Sequence, residues 1–163
     1  MYFFSFSIEI FLSLRLEKKS ITTKNNSNMA YKIIDIQGVG PVYAEKLIAA
    51  GIETVDHLLA KGKDAAGRKA LEEATGIRHD LILTWVNHAD LFRIKGVGPQ
   101  FSELLEAAGV DTVKELRNRN AANLAAKMLE INEAKHICRR TPVEKEIQKY
   151  IDAAKELDPM VTY

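Results

Sequence analysis

One glycine-rich motif occurs twice in the chain, and this duplication restricts the possible folds more than any other feature. Residues 36–58 align with residues 94–116 without a gap, and 13 of the 23 aligned pairs are identical. Each copy opens on the pattern Ile-x-Gly-Val-Gly-Pro. A repeat of this length indicates a duplicated structural unit, and we divide the chain into units at residues 29–89 and 90–163.

Residues that begin and end helices occur at the places where this interpretation needs them. Pro41 follows a glycine and suits the first position of a helix, where the missing N–H of proline costs nothing. Gly51 is placed to end that helix in a left-handed conformation, and Thr54 is placed to cap the next one. A capping box is predicted at residues 141–144, with a helix from there to about Leu157. Further N-caps are predicted at Asp64, Thr112 and Asn120.

The similarity of the two copies fades after the aligned stretch and then returns near their ends. Residues 82–89 resemble residues 147–154, so that Trp85, expected in the core, aligns with Tyr150. No segment alternates with a period of two over β-branched residues, so strands are not expected. The sequence therefore predicts an all-α fold made of two tandem five-helix units.

The repeated motif is typical of a sharp turn between two helices. Its glycines are expected to adopt φ values that other residues resist, and the valine between them is expected to face inward. The stretch at residues 36–47 resembles the helix-hairpin-helix motif of DNA repair, recombination and replication proteins, and residues 94–105 match it as well. Residues 75–81 resemble a degenerate form of the second hairpin found in paired-hairpin modules. This second hairpin is harder to see in the second copy, which has no Gly-Ile pair before Arg139.

Residues 29–163 as a whole also resemble an uncharacterised bacterial family of unknown function with tandem hairpins. The resemblance implies that each unit is SAM-like and that hairpin amides contact DNA phosphates without reading bases. We therefore expect weak, sequence-independent binding of duplex DNA. The candidate phosphate-binding residues are Gly38, Gly40, Val42, Lys46, Lys95, Gly96, Gly98 and Gln100.

The charge of the chain keeps a second interpretation open. DNA-binding members of the motif class often carry Lys or Arg directly after Gly-Pro, where this chain has Val42 and Tyr43 or Gln100 and Phe101. Residues 29–163 carry a net charge of −1, whereas DNA-binding domains are usually basic. The alternative is an adaptor whose hairpins are structural turns that dock a protein partner.

Basic residues also gather outside the repeated motif. They are Lys61, Lys63, Arg68, Lys69 and Arg78 in the first copy, and Arg117, Arg119, Arg139 and Arg140 in the second. Such residues either extend a stripe that follows phosphates or form an ordinary solvated helical face.

We expect no enzyme activity, no catalytic residue, no metal, no cofactor and no small-molecule substrate. The four histidines are not spaced as metal ligands with each other or with Cys138, and the glycine motif lacks the Gly-Lys-Ser/Thr of a P-loop. Cys138 is the only cysteine, which favours a reducing cytoplasm. Its neighbours Arg139 and Arg140 are expected to lower the pKa of its thiol.

The first 28 residues differ in character from the rest. Residues 2–14 are apolar and aromatic, but they are shorter than the roughly 20 residues that cross a bilayer and no positive charge precedes them as in a signal peptide. Residues 20–28 are polar and are interpreted as a linker. We hypothesise that Met29 is the native start, so that residues 1–28 are an extension outside the core and no membrane partner is expected. A short membrane-proximal or interaction tail is the alternative.

Overall fold

The structure is a computed structural model that describes residues 31–163, and it contains eight α-helices in that range. These helices are α1 (Pro41–Ala49), α2 (Val55–Gly62), α3 (Ala65–Thr75), α4 (His79–Leu91), α5 (Pro99–Ala107), α6 (Val113–Leu116), α7 (Ala121–Lys135) and α8 (Glu144–Glu156), preceded by a short 3-10 helix at Ile33–Asp35. Strand-like pairing in the described residues is limited to one isolated bridge between Lys32 and Thr54. The all-α prediction is confirmed for this range, and the predictions on residues 1–28 and Met29 lie outside the described residues.

The helices repeat in the order that the sequence alignment implies. Helices α1 and α5 have nine residues each and begin at the two aligned prolines, while α4 and α8 have 13 residues each. The third helix of each series differs, because α3 has 11 residues and α7 has 15. The alignment fades where the added turn of α7 and the longer connection to α8 shift the register.

Four helices begin at the polar residues that the sequence predicts as N-caps. In each case the side-chain oxygen accepts a hydrogen bond from the backbone N–H three residues later, at 2.7 to 3.4 Å. These caps are Thr54 at α2, Asp64 at α3, Thr112 at α6 and Asn120 at α7. Helix α1 ends as predicted at Gly51, whose φ is +86°.

Helix α8 begins later than the capping box predicted at residues 141–144. Its N-cap is Val143, whose N–H donates to a carboxylate oxygen of Glu146 at 3.0 Å. The hydroxyl of Thr141 instead accepts a hydrogen bond from the side-chain amide of Asn132 at 3.2 Å. The predicted cap residue is wrong because α8 begins two residues later, where the Glu146 carboxylate bonds the N–H of Val143.

Buried apolar side chains form two clusters, one mainly from each half of the chain, and Val161 near the C-terminal end packs in the first. The first contains Val39 and Trp85, and the second contains Val97 and Tyr150. Trp85 is only 1% exposed, as expected for a core residue. The burial of Val39 and Val97 confirms that the valine between the glycines faces inward in both copies.

Helix α4 connects the two clusters through polar side chains that are themselves buried. Asp90 accepts hydrogen bonds from the N–H of Val113 at 2.9 Å and from the guanidinium of Arg93 at 2.8 Å. His88 pairs through Nε2 with Glu106 of α5 at 2.5 Å. Helix α4 continues across the boundary between the two sequence copies to Leu91, and residues 92–94 then form a turn.

Candidate nucleic-acid interface

The first glycine loop, defined as residues 36–40, turns the chain sharply into α1. Gly38 has a φ of +89°, which a residue with a Cβ resists. The N–H of Val39 donates to the carbonyl of Ile36 at 3.0 Å and closes the turn. A Cβ on Gly38 would lie 3.4 Å from the indole nitrogen of Trp85, so a ring from α4 covers one side of this loop.

The second glycine loop, defined as residues 94–98, repeats this geometry with a different ring. Gly96 has a φ of +95°, and a Cβ there would lie 3.2 Å from the ring of Tyr150. Burial raises the pKa of the Tyr150 phenol, with a smaller contribution from the Glu146 carboxylate. Tyr150 of α8 thus stands where Trp85 of α4 stands, which confirms the alignment of these two residues.

The second glycine of each loop has a different role from the first. Gly40 and Gly98 have φ values of −82° and −104°, in the extended conformation that any residue adopts, and they are the N-caps of α1 and α5. A Cβ on Gly40 would meet nothing within 4 Å, and a Cβ on Gly98 would meet the hydroxyl of Tyr31 at 3.5 Å. The expectation that both glycines adopt unusual φ values is therefore wrong for the second one.

The backbone amides around these caps face no acceptor in the part of the chain that the structure describes. This holds for the N–H groups of Gly38, Gly40 and Val42 in the first loop, and of Gly96, Gly98 and Gln100 in the second. Neither α1 nor α5 has an acidic residue in its first turn. Open amides at the positive end of a helix dipole form an environment that favours an anion.

The two predicted lysines are placed differently with respect to the loops. Lys95 lies within the second glycine loop and is exposed. Lys46 is also exposed but lies in the last turn of α1, about 7.5 Å along the helix axis from Pro41. The fold therefore brings a lysine to the second loop, while Lys46 faces the opposite end of its helix.

Arg140, one of the basic residues outside the repeated motif, lies over an aromatic ring in the first turn of α5. The guanidinium carbon of Arg140 is 5.6 Å from the ring centre of Phe101, in the first turn of α5. Two hydrogen bonds of 2.8 and 2.9 Å join it to the carboxylate of Glu146. The hydrogen bond from Arg140 is the main reason that the pKa of the Glu146 carboxyl falls to about 2.

The first half of the chain contains a related pair. Arg78, just before α4, donates to the carboxylate of Asp80, and this bond lowers the pKa of Asp80. The pKa of Arg78 is raised mainly by the same bond and also, to a smaller extent, by Tyr43. A paired guanidinium therefore lies at the start of the last helix in both halves.

Three other arginines of the predicted basic clusters bind backbone carbonyls of the protein. Arg68 is 2% exposed and donates to the carbonyls of Gly62 and Thr162. Arg117 donates to the carbonyl of Leu157, and Arg119 to that of Gly109, both at 2.6 Å. These guanidinium groups stabilise the fold and do not form a stripe that follows phosphates.

Cys138 is packed in the connection before α8 and not on a helix. Its N–H donates to Asn132 at 2.8 Å, and its thiol donates to the carbonyl of Gln100 at 3.3 Å. Burial raises the pKa of this thiol, and the Glu103 carboxylate raises it further. The expectation that Arg139 and Arg140 lower this pKa is wrong, because desolvation dominates and the guanidinium of Arg140 is bound to a carboxylate.

The remaining surface features do not favour a different kind of site. A groove of about 570 Å³ beside α5 is lined by Glu103, Glu106, Ala107, Lys135 and Ile137, so two carboxylates face one ammonium. Over residues 31–163, no cluster of three His, Cys, Asp or Glu side chains has the arrangement of a metal site. The helices of this same range also lack the combination of length and apolar character required to cross a bilayer.

Comparison with known proteins places the chain in a family without assigning it an activity. Residues 37–157 match the family described as Domain of unknown function (DUF4332). The chain belongs to this family. The match spans both glycine loops except for Ile36, and it confirms the expected likeness to an uncharacterised family. No curated protein and no solved structure matches the chain.

Proposed function

We propose that the chain is a non-enzymatic protein with two tandem helix-hairpin-helix units that binds duplex DNA weakly and without sequence preference. The two glycine loops are the hairpins, and their backbone amides contact phosphates of the DNA backbone. Contacts from backbone amides to phosphates carry no sequence information, so the binding is expected to depend on charge and shape.

The observation that carries the proposal is the contrast between two kinds of helix start in one chain. Helices α2, α3, α6 and α7 begin at Thr, Asp or Asn residues whose side chains bond the free amides. Helices α1 and α5 begin at Gly40 and Gly98, with no side-chain hydrogen bond to their first amides. These two starts belong to the repeated motif, and an external anion is the natural partner for amides left open there.

The second glycine loop is expected to contribute more of the affinity than the first. Lys95 lies in it, Gln100 is exposed beside it, and the guanidinium of Arg140 lies over the ring of Phe101 in the first turn of α5. At the positions of Lys95 and Gln100, the first loop carries Gln37 and Val42. Val42 is 66% exposed and offers no charge.

The exposed apolar residues of the first half support the alternative, an adaptor that docks a protein. Val42 is 66% exposed, and Ile34 and Ile48 are each 48% exposed. Apolar side chains exposed near a loop are typical of a protein contact when they form one patch. This alternative predicts that binding depends on Val42 and persists at high salt.

The proposal is tested by fluorescence anisotropy of the full chain with labelled duplex DNA over a series of salt concentrations. Contact with two to four phosphates predicts that log affinity falls against log salt with a slope of about −2 to −4. Two duplexes of unrelated sequence should bind equally. No binding at low salt, or binding that does not weaken with salt, contradicts the proposal.

Variants in the loops locate the binding surface. Gly40→Glu and Gly98→Glu each place a carboxylate at the open amides, and we expect both to weaken binding, Gly98→Glu more strongly. Ala126→Glu on the exposed face of α7 is the matched control, since it adds the same charge in a helix away from the loops. If all three variants keep their folded circular dichroism spectra and bind alike, the loops are not the contact.

A further inference from the structure

Each half of the chain has an arginine–carboxylate ion pair outside the aligned stretch of 23 residues. In each half, an arginine from the connection before the last helix is paired with a carboxylate in the first turn of that helix. The pairs are Arg78 with Asp80 and Arg140 with Glu146. The arginine of the second pair also lies over the ring of Phe101, in the first turn of α5.

The geometry at the second loop is the more completely defined of the two. Phe101 is three residues after the N-cap Gly98, and the guanidinium of Arg140 lies over its ring at 5.6 Å. The guanidinium therefore lies against the first turn of α5, the end of the helix at which the open amides are found. An anion bound at the loop would interact with this positive charge.

The guanidinium of Arg140 is held by a carboxylate that remains ionised at neutral pH. The pKa of the Glu146 carboxyl is about 2, chiefly because Arg140 donates hydrogen bonds to it. The side chain of Arg140 is nevertheless 62% exposed. An ion pair in water is weak, so a phosphate that approaches the loop can replace the carboxylate as the acceptor of this bidentate guanidinium.

The pair in the first half has the same character. The side chains of Arg78 and Asp80 are 76% and 60% exposed, so solvent reaches both partners. An exposed arginine–carboxylate pair at the start of the last helix is therefore common to both halves.

We infer that Arg140 is an exchangeable phosphate ligand, held by Glu146 until a nucleic-acid strand docks on the second glycine loop. The ligand class is the phosphodiester backbone, and the inference rests on the proposed function. The carboxylate of Glu146 reduces the affinity for DNA by competing for this guanidinium group, which is consistent with the weak binding that we propose.

The test is a double-mutant cycle on Arg140 and Glu146, read as DNA affinity of the full chain. Arg140→Gln removes one phosphate contact, so binding at 0.1 M salt should weaken about eightfold and the magnitude of the salt slope should fall by about 0.9. Glu146→Gln should strengthen binding several-fold. In the double variant this gain should disappear, because the released guanidinium is no longer present.

Matched controls separate exchange from a general change of charge. Lys127→Gln and Glu130→Gln make the same charge changes as Arg140→Gln and Glu146→Gln, at exposed positions of α7 outside the loops. Glu146→Gln keeps a side chain that can accept the N–H of Val143, so the start of α8 is preserved. Thermal unfolding of each variant confirms that it is folded.

The possible outcomes distinguish this inference from the proposed function. A gain from Glu146→Gln that persists in the double variant, or an Arg140→Gln variant that binds like Lys127→Gln, overturns the exchange. Loss of binding in Gly98→Glu would still support the loops as the DNA contact. If the unmodified chain does not bind DNA, both the proposed function and the exchange are wrong.

Discussion

The two glycines of the first loop should respond in opposite ways to replacement by alanine. In Gly38→Ala, the backbone at φ +89° costs about 1–2 kcal/mol for a residue with a Cβ. The new Cβ would also lie 3.4 Å from the indole of Trp85, which leaves little room for relaxation. In Gly40→Ala, the extended backbone fits alanine and the Cβ meets nothing within 4 Å. The poorer N-cap and the restricted unfolded chain nearly cancel there, so the change should stay within about 0.5 kcal/mol.

Thermal unfolding followed by circular dichroism measures this difference directly. For a chain of this size, each kcal/mol shifts Tm by roughly 2–4 °C, so Gly38→Ala should lower Tm by roughly 2–8 °C. Gly40→Ala should leave Tm within about 2 °C of the unmodified protein. The reasoning is refuted if Gly38→Ala is as stable as the unmodified protein, or if Gly40→Ala loses as much stability as Gly38→Ala.

Three further changes test the packing around the candidate interface. His136 ends α7 with a φ of +51°, a conformation that is strained for a residue with a Cβ. His136→Gly should therefore raise the free energy of unfolding by about 0.5–1 kcal/mol in urea titrations. A lower free energy of unfolding would contradict the backbone strain at His136. Arg68→Met removes two charge-assisted hydrogen bonds to carbonyls and should lower the free energy of unfolding by about 2–4 kcal/mol. Arg119→Met, at an exposed site, should lower it by less than about 1 kcal/mol. Equal losses in the two variants would be inconsistent with the role of Arg68. The thiol of Cys138 is buried and its pKa is raised, so it should react slowly with iodoacetamide. At pH 8, mass spectrometry should show a reaction at least about tenfold slower in the folded protein than in urea. Equal rates would show that the thiol is accessible.

Features that depend on nearby residues could be predicted from the sequence. The N-caps at Thr54, Asp64 and Asn120 were predictable because the capping oxygen and the amide it binds are only three residues apart. The equivalence of Trp85 and Tyr150 was predictable because the helices that carry them kept the same length. The all-α class follows from such local rules.

The surroundings of the second glycine loop could not be predicted in the same way. Arg140 reaches Phe101 only because the connection before α8 folds back on α5, and the thiol of Cys138 bonds Gln100 in the same contact. No local sequence pattern specifies that the connection before α8 folds back on α5. The left-handed end of α7 was missed for a related reason, because His136 occupies a position where a glycine is the usual indicator.

A different contact also depends on distant parts of the chain. The segment at residues 157–163 is held by Arg117 at Leu157, by Arg93 at Asp158 and by Arg68 at Thr162. A charged cluster in the sequence suggests solvent or an external anion, whereas these guanidinium groups bind the chain's own carbonyls. Sequence charge alone therefore overestimates how many arginines are available to DNA.

The N-cap glycines provide the clearest separation between folding and binding. Serine at Gly40 and Gly98 would fit the extended backbone and could bond the open amides, as Thr54 does at α2. The double variant Gly40→Ser/Gly98→Ser should therefore gain about 1 kcal/mol of stability, with a rise in Tm of roughly 2–4 °C. If the amides bind phosphates, the same variant should bind DNA less tightly, because its own hydroxyls now occupy them. A variant that is more stable and binds DNA as well as the unmodified chain would show that the open amides are not the contact. A gain in stability with a loss of affinity would mean that glycine at these caps serves binding at the expense of the fold.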